Sequence, residues 1–267
     1  MAMYDFNYHR PANLAEAGTI LAGCDDPKIL AGGMTLLPTM KFRLARPSDI
    51  VDIGGIDELQ GIRDCGDRLE IGALTRHADV AASDIVRSGI PALAALAGRI
   101  GDPQVRNRGT IGGSIANNDP AADYPAAALA LDAIIKTSRR EIAADRFFTG
   151  MFETALEPNE LVVAISFARP KRAAYAKHPN PASRYAIAGV MVAELKEGIR
   201  VAVTGAGPCV FRATGIEEAL AKDFRESALD GASLDATDLN SDMHASAEYR
   251  AHMVLVMARR AVTAASG

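Results

Sequence analysis

The chain has 267 residues, of which 49% are apolar and 23% charged, and its formal net charge at pH 7 is −4. These values are typical of a globular protein with one large domain or two ordinary ones. The negative net charge and the lack of a lysine- and arginine-rich block argue against a nucleic acid or an anionic membrane as partner. We therefore expect any anionic ligand to be held by local backbone donors.

Neither a targeting segment nor a membrane span is evident from the sequence. Residues 1–6 lack the charged and apolar regions of a signal peptide, and no run of about 18 apolar residues could span a bilayer. The three cysteines, Cys24, Cys65 and Cys209, form no C-x-x-C pair. This pattern suits a reducing compartment and excludes an iron–sulfur cluster bound by this chain's own cysteines. We expect a cytoplasmic protein.

Short helices and strands are predicted along the first 170 residues. Asn13 is a good N-cap for a helix at 13–23, with Glu16 at the capping-box spacing. A short helix or turn is expected at 36–40, and residues 101–104 are rich in turn formers. A helix from Pro91 to about 100 is predicted from apolar periodicity and a proline in the first turn. Residues 121–131 are helical in composition, and Pro125, which interrupts them, marks a first turn. Strands are predicted from short apolar or alternating runs at 29–31, 50–53, 68–74, 133–137 and 161–167.

A segment rich in proline and charge, 169–181, indicates a domain boundary. It would separate a strand-rich domain at 1–170 from a smaller α+β domain at 171–267. In the second domain we expect a hairpin of strands at 185–195 and 199–204, with 209–212 as a candidate third strand, followed by a C-terminal helix.

Two glycine-rich segments are the candidates for ligand binding. Each places a Gly-Gly pair beside a hydroxyl residue, and we expect each to form a tight turn. Glycine lets a phosphate oxygen approach a backbone N–H closely and permits the positive φ angles that aim successive N–H groups at one point. A lone glycine pair is more often a plain connection, and neither segment matches a dinucleotide or P-loop fingerprint. The segments are Ala31-Gly32-Gly33-Met34-Thr35 and Thr110-Ile111-Gly112-Gly113-Ser114.

Polar side chains follow the second glycine pair. Asp119 and Asp123 stand four residues apart, so on a helical turn both could accept hydrogen bonds from sugar hydroxyls. The alternative is that at least one of them is the N-cap of the following helix. The five histidines show no metal-ligand spacing, and no metal is expected: His9, His77, His178, His244 and His252.

The two glycine-rich segments carry a resemblance to a known family. Residues 31–38, with Lys41 and Arg43-Leu44 behind them, resemble the first FAD motif of the medium subunit of carbon monoxide dehydrogenase, xanthine dehydrogenase and related molybdenum hydroxylases. Residues 100–120 resemble the second motif of the same subunit. The order and separation of the two motifs are specific, and weaker similarity extends over essentially the whole chain.

The resemblance implies a fold, cofactors and partners. The fold is α+β: an FAD-binding domain of the PCMH or vanillyl-alcohol-oxidase type, then a small α+β domain of the CO dehydrogenase flavoprotein C-terminal kind. This chain would be an oxidoreductase subunit that holds FAD. An iron–sulfur small subunit with a [2Fe-2S] cluster and a large subunit with the molybdopterin cofactor would be its partners, in a dimer of heterotrimers. Electrons would pass through FAD to an external acceptor.

The resemblance also implies site residues. The pyrophosphate contacts would be made by Ala31, Gly32, Gly33, Met34, Thr35 and Leu36, and by Thr110, Ile111, Gly112, Gly113 and Ser114. Asn117 and Asp123 would lie near the ribityl or phosphate portion. Tyr185, eight residues after Lys177, would lie beside the isoalloxazine ring, and Lys177 would also contact the cofactor. The alternative for Tyr185 is a strand residue packed in the second domain.

Two departures and two other functions stay open. Met34 stands where many relatives carry histidine, and Ser114 where they carry asparagine, which affects the expected orientation of the cofactor more than its binding. A self-contained flavin-dependent oxidoreductase would need an acid or base near the flavin. A non-catalytic assembly subunit would have a decayed flavin site.

Overall fold

The structure is a computed structural model that describes residues 3–267. Met1 and Ala2, the first residues of the segment judged not to be a signal peptide, lie outside the described residues. Within the described range the chain forms eleven α-helices and fourteen strands in four sheets. Helices and strands occur in both halves of the chain, so the expected α+β class is confirmed. No helix in the described range is long and apolar enough to cross a membrane.

The chain begins with a three-stranded parallel sheet in the order β1-β3-β2. Its strands are β1 (Asn7–His9), β2 (Pro27–Leu30) and β3 (Asp49–Asp52). Helix α1 (Leu14–Gly23) connects β1 to β2, and α2 (Leu36–Lys41) follows β2. Asn13 Oδ1 accepts a hydrogen bond from the Glu16 amide at 2.9 Å, so the predicted N-cap is confirmed.

A five-stranded antiparallel sheet in the order β4-β5-β10-β6-β7 follows, with a two-stranded ribbon of β8 and β9. The strands are β4 (Ile62–Asp64), β5 (Arg68–Gly72), β6 (Ile134–Thr137), β7 (Glu141–Ala143), β8 (Phe148–Gly150), β9 (Glu153–Thr154) and β10 (Val162–Ala168). The five strands predicted in the first 170 residues correspond to β2, β3, β5, β6 and β10, and their ends differ from the observed ones by at most two residues, which is the usual uncertainty of element boundaries.

Six consecutive helices separate β5 from β6, so the first 170 residues are less strand-rich than predicted. They are α3 (His77–Ala82), α4 (Asp84–Gly89), α5 (Pro91–Gly98), α6 (Pro103–Arg108), α7 (Ile111–Asn117) and α8 (Tyr124–Ala130). The short helix α9 (Ala144–Phe147) follows β7. Two of the six were predicted as turns. Asp102 Oδ1 caps α6 by accepting from the Val105 amide at 2.8 Å, and Thr110 Oγ1 caps α7 by accepting from the Gly113 amide at 3.2 Å. The prediction of a tight turn at the second glycine pair is therefore wrong.

The C-terminal part is a four-stranded antiparallel sheet in the order β11-β12-β13-β14, covered by two helices. Its elements are β11 (Arg172–Pro179), β12 (Ala186–Leu195), β13 (Gly198–Thr204), β14 (Phe211–Arg212), α10 (Thr214–Lys222) and α11 (Ala247–Ser266). The predicted hairpin, third strand and terminal helix are confirmed. Strand β11, however, occupies most of the segment predicted as an irregular boundary. The prolines that suggested a linker, Pro170 and Pro179, stand before and at the end of this strand, where the missing N–H costs little.

The largest hydrophobic core crosses the proposed boundary at residues 170 and 171. Tyr124, Phe147 and Phe167, all fully buried, belong to the same core as Met191 of β12 and Val210, which precedes β14. Helix α5 packs against β11, and α8 packs against β12 and β13. The division into 1–170 and 171–267 stays a prediction, and any such domains share an extensive apolar interface.

Candidate functional site

A cavity of about 660 Å³ lies where the two glycine-rich segments, the polar segment after α7 and the loop before β12 meet. Its volume is in the range of small-molecule and cofactor sites. Of the residues that the sequence indicated, all but Ile111 and Lys177 line it. The lining includes Ala31, Gly32, Gly33, Met34, Thr35, Leu36, Thr110, Gly112, Gly113, Ser114, Asn117, Asp123 and Tyr185.

The first glycine-rich segment is in backbone contact with the residues just before the second. A Cβ atom built on Gly32 would lie 2.1 Å from the carbonyl oxygen of Arg108 and 2.8 Å from Cα of Gly109. Neither atom belongs to a flexible side chain, so a larger residue at position 32 would push the segments apart. Gly32 is thus the point at which the segment after β2 meets the segment before α7.

The first segment offers unengaged backbone donors to the cavity. Within the described chain, the amides of residues 32–35 donate no hydrogen bond. Gly33 has a φ of +74°, in the left-handed region that favours glycine, and Thr35 has right-handed helical angles just before α2. Successive N–H groups in such conformations form a concave anion-binding site. The geometry therefore fits a pyrophosphate at this segment.

The second segment contributes differently from the expected cradle of N–H groups. The amides of residues 111–114 all donate within the protein, to the carbonyl oxygens of Thr75 and Ala73 and to Oγ1 and O of Thr110. What remains for a ligand is the hydroxyl groups of Thr110 and Ser114 and a surface without side chains at the glycine pair. This segment is suited to close packing against a cofactor, with hydroxyl groups rather than amides as donors.

Asp123 lies at the cavity wall in a buried polar cluster. It accepts hydrogen bonds from the Tyr175 hydroxyl at 2.5 Å and from the Lys177 ammonium at 3.0 Å, and Lys177 also donates to the carbonyl oxygen of Arg99 at 2.9 Å. Burial raises the pKa of Asp123, although Lys177 and Tyr175 act in the opposite direction. The ion pair joins the start of α8 to β11, so Lys177 lies behind Asp123 and outside the cavity lining.

Asp123 is the N-cap residue of helix α8, as the alternative predicted, but it does not cap the helix with its side chain. It has helical backbone angles and makes no capping hydrogen bond. Asp119 Oδ1 accepts from the Ala121 amide at 2.9 Å in the turn before the helix. Asp119 also lines the cavity, and burial raises its pKa.

Tyr185 precedes β12 and is 47% exposed. It is therefore not the packed strand residue of the alternative prediction. Burial, followed by the carboxylates of Asp119 and Asp123, raises the pKa of its hydroxyl, which stays protonated at neutral pH. An aromatic ring that is half exposed at the wall of a cavity is available to pack against a planar ligand.

Four charged or titratable residues of the cavity lining were missed from the sequence: Lys28, His77, Glu160 and Arg184. His77 begins α3, and a Cβ on Gly109 would lie 2.5 Å from its Nε2. Burial, assisted by the charge of Arg106, lowers the pKa of His77 to about 4, so this imidazole is neutral at pH 7. No local signal marks these four residues, because only the fold brings them to the cavity.

Glu160, which lines the cavity, makes the stability of the protein depend on pH in the acidic range. Burial alone would raise its pKa, but hydrogen bonds from Arg140, the Glu157 amide and the Thr137 hydroxyl lower it to about 2. A carboxylate whose pKa is lower in the folded than in the unfolded state stabilises the fold at pH values above its unfolded pKa. This contribution is lost as the pH falls from about 4.5 to about 2.

We expect Glu160→Gln to reduce the free energy of unfolding by about 1–3 kcal/mol at pH 7. Urea denaturation between pH 7 and pH 3 measures the free energies of unfolding of the variant and of wild type, and their difference should shrink below about pH 4.5. A difference that does not depend on pH would contradict the proposed role of the Glu160 carboxylate.

Two family models match the chain. The model described as the FAD-binding domain in molybdopterin dehydrogenase matches residues 4–170. The model described as the CO dehydrogenase flavoprotein C-terminal domain matches residues 173–265. Together they cover nearly the whole sequence, in the order that the motifs indicated.

Curated relatives match over almost their full length. The carbon monoxide dehydrogenase medium chain of Hydrogenophaga pseudoflava is 39% identical over 278 residues, 97% of this chain and 96% of that protein. The nicotine 6-hydroxylase medium subunit of Paenarthrobacter nicotinovorans is 33% identical and covers 99% of both. The glyceraldehyde dehydrogenase medium chain of Sulfolobus acidocaldarius is 37% identical, with 96% and 97% covered.

Chains in solved structures also match this chain over its full length. The carbon monoxide dehydrogenase of Hydrogenophaga pseudoflava that lacks the Mo-pyranopterin moiety contains a chain 39% identical to this one, with a TM-score of 0.91 over 100% of this chain and 99% of that one. Quinoline 2-oxidoreductase of Pseudomonas putida contains one 27% identical, with a TM-score of 0.90 and 100% and 98% covered. The expected two-part architecture is therefore confirmed. The chain belongs to the FAD-binding medium subunits of the carbon monoxide dehydrogenase and xanthine dehydrogenase family, and is thus an oxidoreductase subunit.

Proposed function

We propose that this chain is the FAD-binding subunit of a multi-subunit molybdenum hydroxylase, in which electrons pass from a [2Fe-2S] subunit through FAD to an external acceptor. The observation that carries the proposal is that both glycine-rich segments line one cavity, where Gly32 lies against the backbone just before the second segment and the amides of residues 32–35 are unengaged. FAD supplies the redox chemistry there, because a flavin exchanges electrons singly as well as in pairs.

The residues of the cavity have distinct roles in this proposal. The amides of residues 32–35 hold the pyrophosphate, and the hydroxyls of Thr35, Thr110 and Ser114 add donors beside it. Leu36 and the glycine pair of α7 shape the wall. The pocket fits this anion without a strongly positive lining, since N–H groups aimed at one point supply the attraction.

The other end of the cofactor would lie towards the C-terminal sheet. Asn117 and Asp123 stand on the wall between the glycine-rich segments and the loop that carries Tyr185. Asp123 is held by Lys177, which places Lys177 in a supporting position. Tyr185 is the aromatic residue that we assign to the isoalloxazine ring. Residues 1–170 and 171–267 would then form the two domains that enclose the cofactor.

The partners and the location follow from the same proposal. The medium chains of carbon monoxide dehydrogenase and nicotine 6-hydroxylase are, by name, parts of larger enzymes. We propose an iron–sulfur small subunit and a molybdopterin large subunit as partners, in a cytoplasmic dimer of heterotrimers. Similar medium chains belong to enzymes named for carbon monoxide, nicotine and glyceraldehyde, so we propose that another subunit determines the substrate.

The visible spectrum of the purified full-length chain, before and after acid release of the chromophore, tests the proposal. We expect a yellow protein that releases one FAD per chain, or takes up one when FAD is added. A colourless chain that takes up no FAD would indicate an assembly subunit with a decayed site. Reduction of the bound FAD by an organic substrate without partner subunits would indicate a self-contained oxidoreductase.

Co-purification tests the electron route. We expect the chain, isolated from its native host, to bring with it one subunit containing iron and one containing molybdenum. Reduction of the FAD in that complex should require the iron-containing subunit. FAD that is reduced equally well after removal of this subunit would contradict the route.

A further inference from the structure

A second group of metal-ligating side chains lies in the N-terminal sheet, away from the cavity. His9 ends β1, Cys24 directly follows α1, and Asp49 begins β3. None of the three lines the cavity, and the residues assigned to FAD in this part of the chain follow the C-terminal end of β2, whereas Cys24 and Asp49 lie at the N-terminal ends of β2 and β3. The group is therefore separate from the residues assigned to FAD.

The ligand atoms of the three side chains are close enough for one ion. His9 Nε2 lies 2.8 Å from Asp49 Oδ1, and the imidazole, thiol and carboxylate atoms all lie within 4.8 Å of one another. Tetrahedral Zn²⁺ binds nitrogen and oxygen at about 2.0–2.2 Å and sulfur at about 2.3 Å, which places its ligands about 3.3–3.8 Å apart. Small side-chain rotations would bring the three atoms to that separation.

Asp49 is oriented towards the other two side chains by its neighbour. The Ser48 hydroxyl donates to Asp49 Oδ2 at 2.6 Å and accepts from the Asp26 amide at 3.1 Å. Oδ2 is thus engaged, and Oδ1 faces His9. Metal-binding carboxylates are commonly held in this way by a hydrogen bond to the oxygen that does not bind the metal.

Solvent can reach this group. His9 is 33% exposed at its side chain, while that of Asp49 is 10% exposed. Cys24 is also partly exposed. An ion and the water molecule that completes its coordination therefore have an entry path.

We propose that His9, Cys24 and Asp49 bind one Zn²⁺ ion, with water as the fourth ligand. The combination of one imidazole, one thiolate and one carboxylate suits this borderline ion better than Mg²⁺ or Ca²⁺, which prefer oxygen ligands alone. Binding releases the thiol proton to solvent, and the ion replaces the hydrogen bond between His9 and Asp49. It fastens β1 and the end of α1 to β3.

Metal titration of the full-length chain, purified without a histidine tag, tests the proposal. We expect one Zn²⁺ per chain and a higher melting temperature when zinc is bound. Co²⁺ in place of Zn²⁺ should give the intense thiolate-to-cobalt charge-transfer absorption. Cys24→Ser should abolish that band, and Cys24→Ser and His9→Gln should each weaken Zn²⁺ binding by at least about tenfold.

Matched variants separate this site from adventitious binding. Cys65 is exposed and lies outside the group, so Cys65→Ser should keep the band, the affinity and the stoichiometry. Ser48→Ala keeps all three ligands and should weaken Zn²⁺ binding by about tenfold, which keeps the proposal testable if a ligand variant fails to fold. FAD content should not change in any of these variants. Lack of 1:1 Zn²⁺ binding, or equal affinity in Cys24→Ser and wild type, would show a hydrogen-bonded cluster without an ion.

Discussion

Gly32→Ala should weaken FAD binding by about 5- to 150-fold. The added Cβ would lie 2.1 Å from the carbonyl oxygen of Arg108, so the segment after β2 must move away from the segment before α7. Overpacking of this kind costs about 1–3 kcal/mol, which corresponds to that loss if the cost falls on the cofactor-binding arrangement. The same movement would displace the amides of residues 32–35, which we assign to the pyrophosphate.

Gly18→Ala is the matched control for this substitution. Gly18 lies in α1, and a Cβ there would meet no heavy atom within 4 Å. Alanine in a helix interior is favoured over glycine by up to about 1 kcal/mol, so this variant should bind FAD like wild type and be at least as stable. FAD affinity is measured by titration of the apoprotein, with circular dichroism to check folding. Equal FAD affinity in the two variants would refute the proposed role of the contact at Gly32.

The elements predicted correctly from the sequence are those with local signals. Asn13 marks the start of α1 because its side chain caps the third residue beyond it, a contact within one turn. The hairpin of β12 and β13 is marked by an apolar run on each side of a short polar turn. In both cases the residues that decide the structure are neighbours in the chain.

The second glycine pair shows why composition misled the prediction. Gly-Gly favours a turn when considered alone. Here Thr110 caps a helix, and a Cβ on Gly112 would lie 2.4 Å from Cβ of Ala73. Gly112 permits close packing of α7 against the residue after β5, and neither glycine of the pair has a positive φ angle. A contact between residues about forty positions apart in sequence carries no local signal.

The cavity could be predicted only in part for the same reason. The motif residues along 31–36 and 110–114 were found because each segment is continuous. His77 and Glu160 reach the cavity from other elements, and Lys177 was assigned to the cofactor although it lies behind Asp123. Resemblance to a family indicates which positions matter but not which of them contact the ligand directly.

Asp123→Ala should cause the largest loss of stability among single substitutions at the cavity. Asp123 is 5% exposed, and its removal leaves the Lys177 ammonium buried with only the carbonyl oxygen of Arg99 as partner. An uncompensated buried charge costs about 3–5 kcal/mol. Urea denaturation at pH 7 should show this decrease in the free energy of unfolding.

Two comparisons identify the buried charge as the cause. Asp223 forms an exposed ion pair with Arg225 at 3.4 Å, so Asp223→Ala should change stability by no more than about 1 kcal/mol. The double variant Asp123→Ala/Lys177→Met removes both charges and should recover much of the loss, since methionine fills similar space without a charge. A double variant as unstable as Asp123→Ala would instead assign the loss to the Tyr175 hydroxyl, which also depends on Asp123. Because the pair joins α8 to β11, recovery of stability without recovery of FAD affinity would show that the pair also positions the cavity wall.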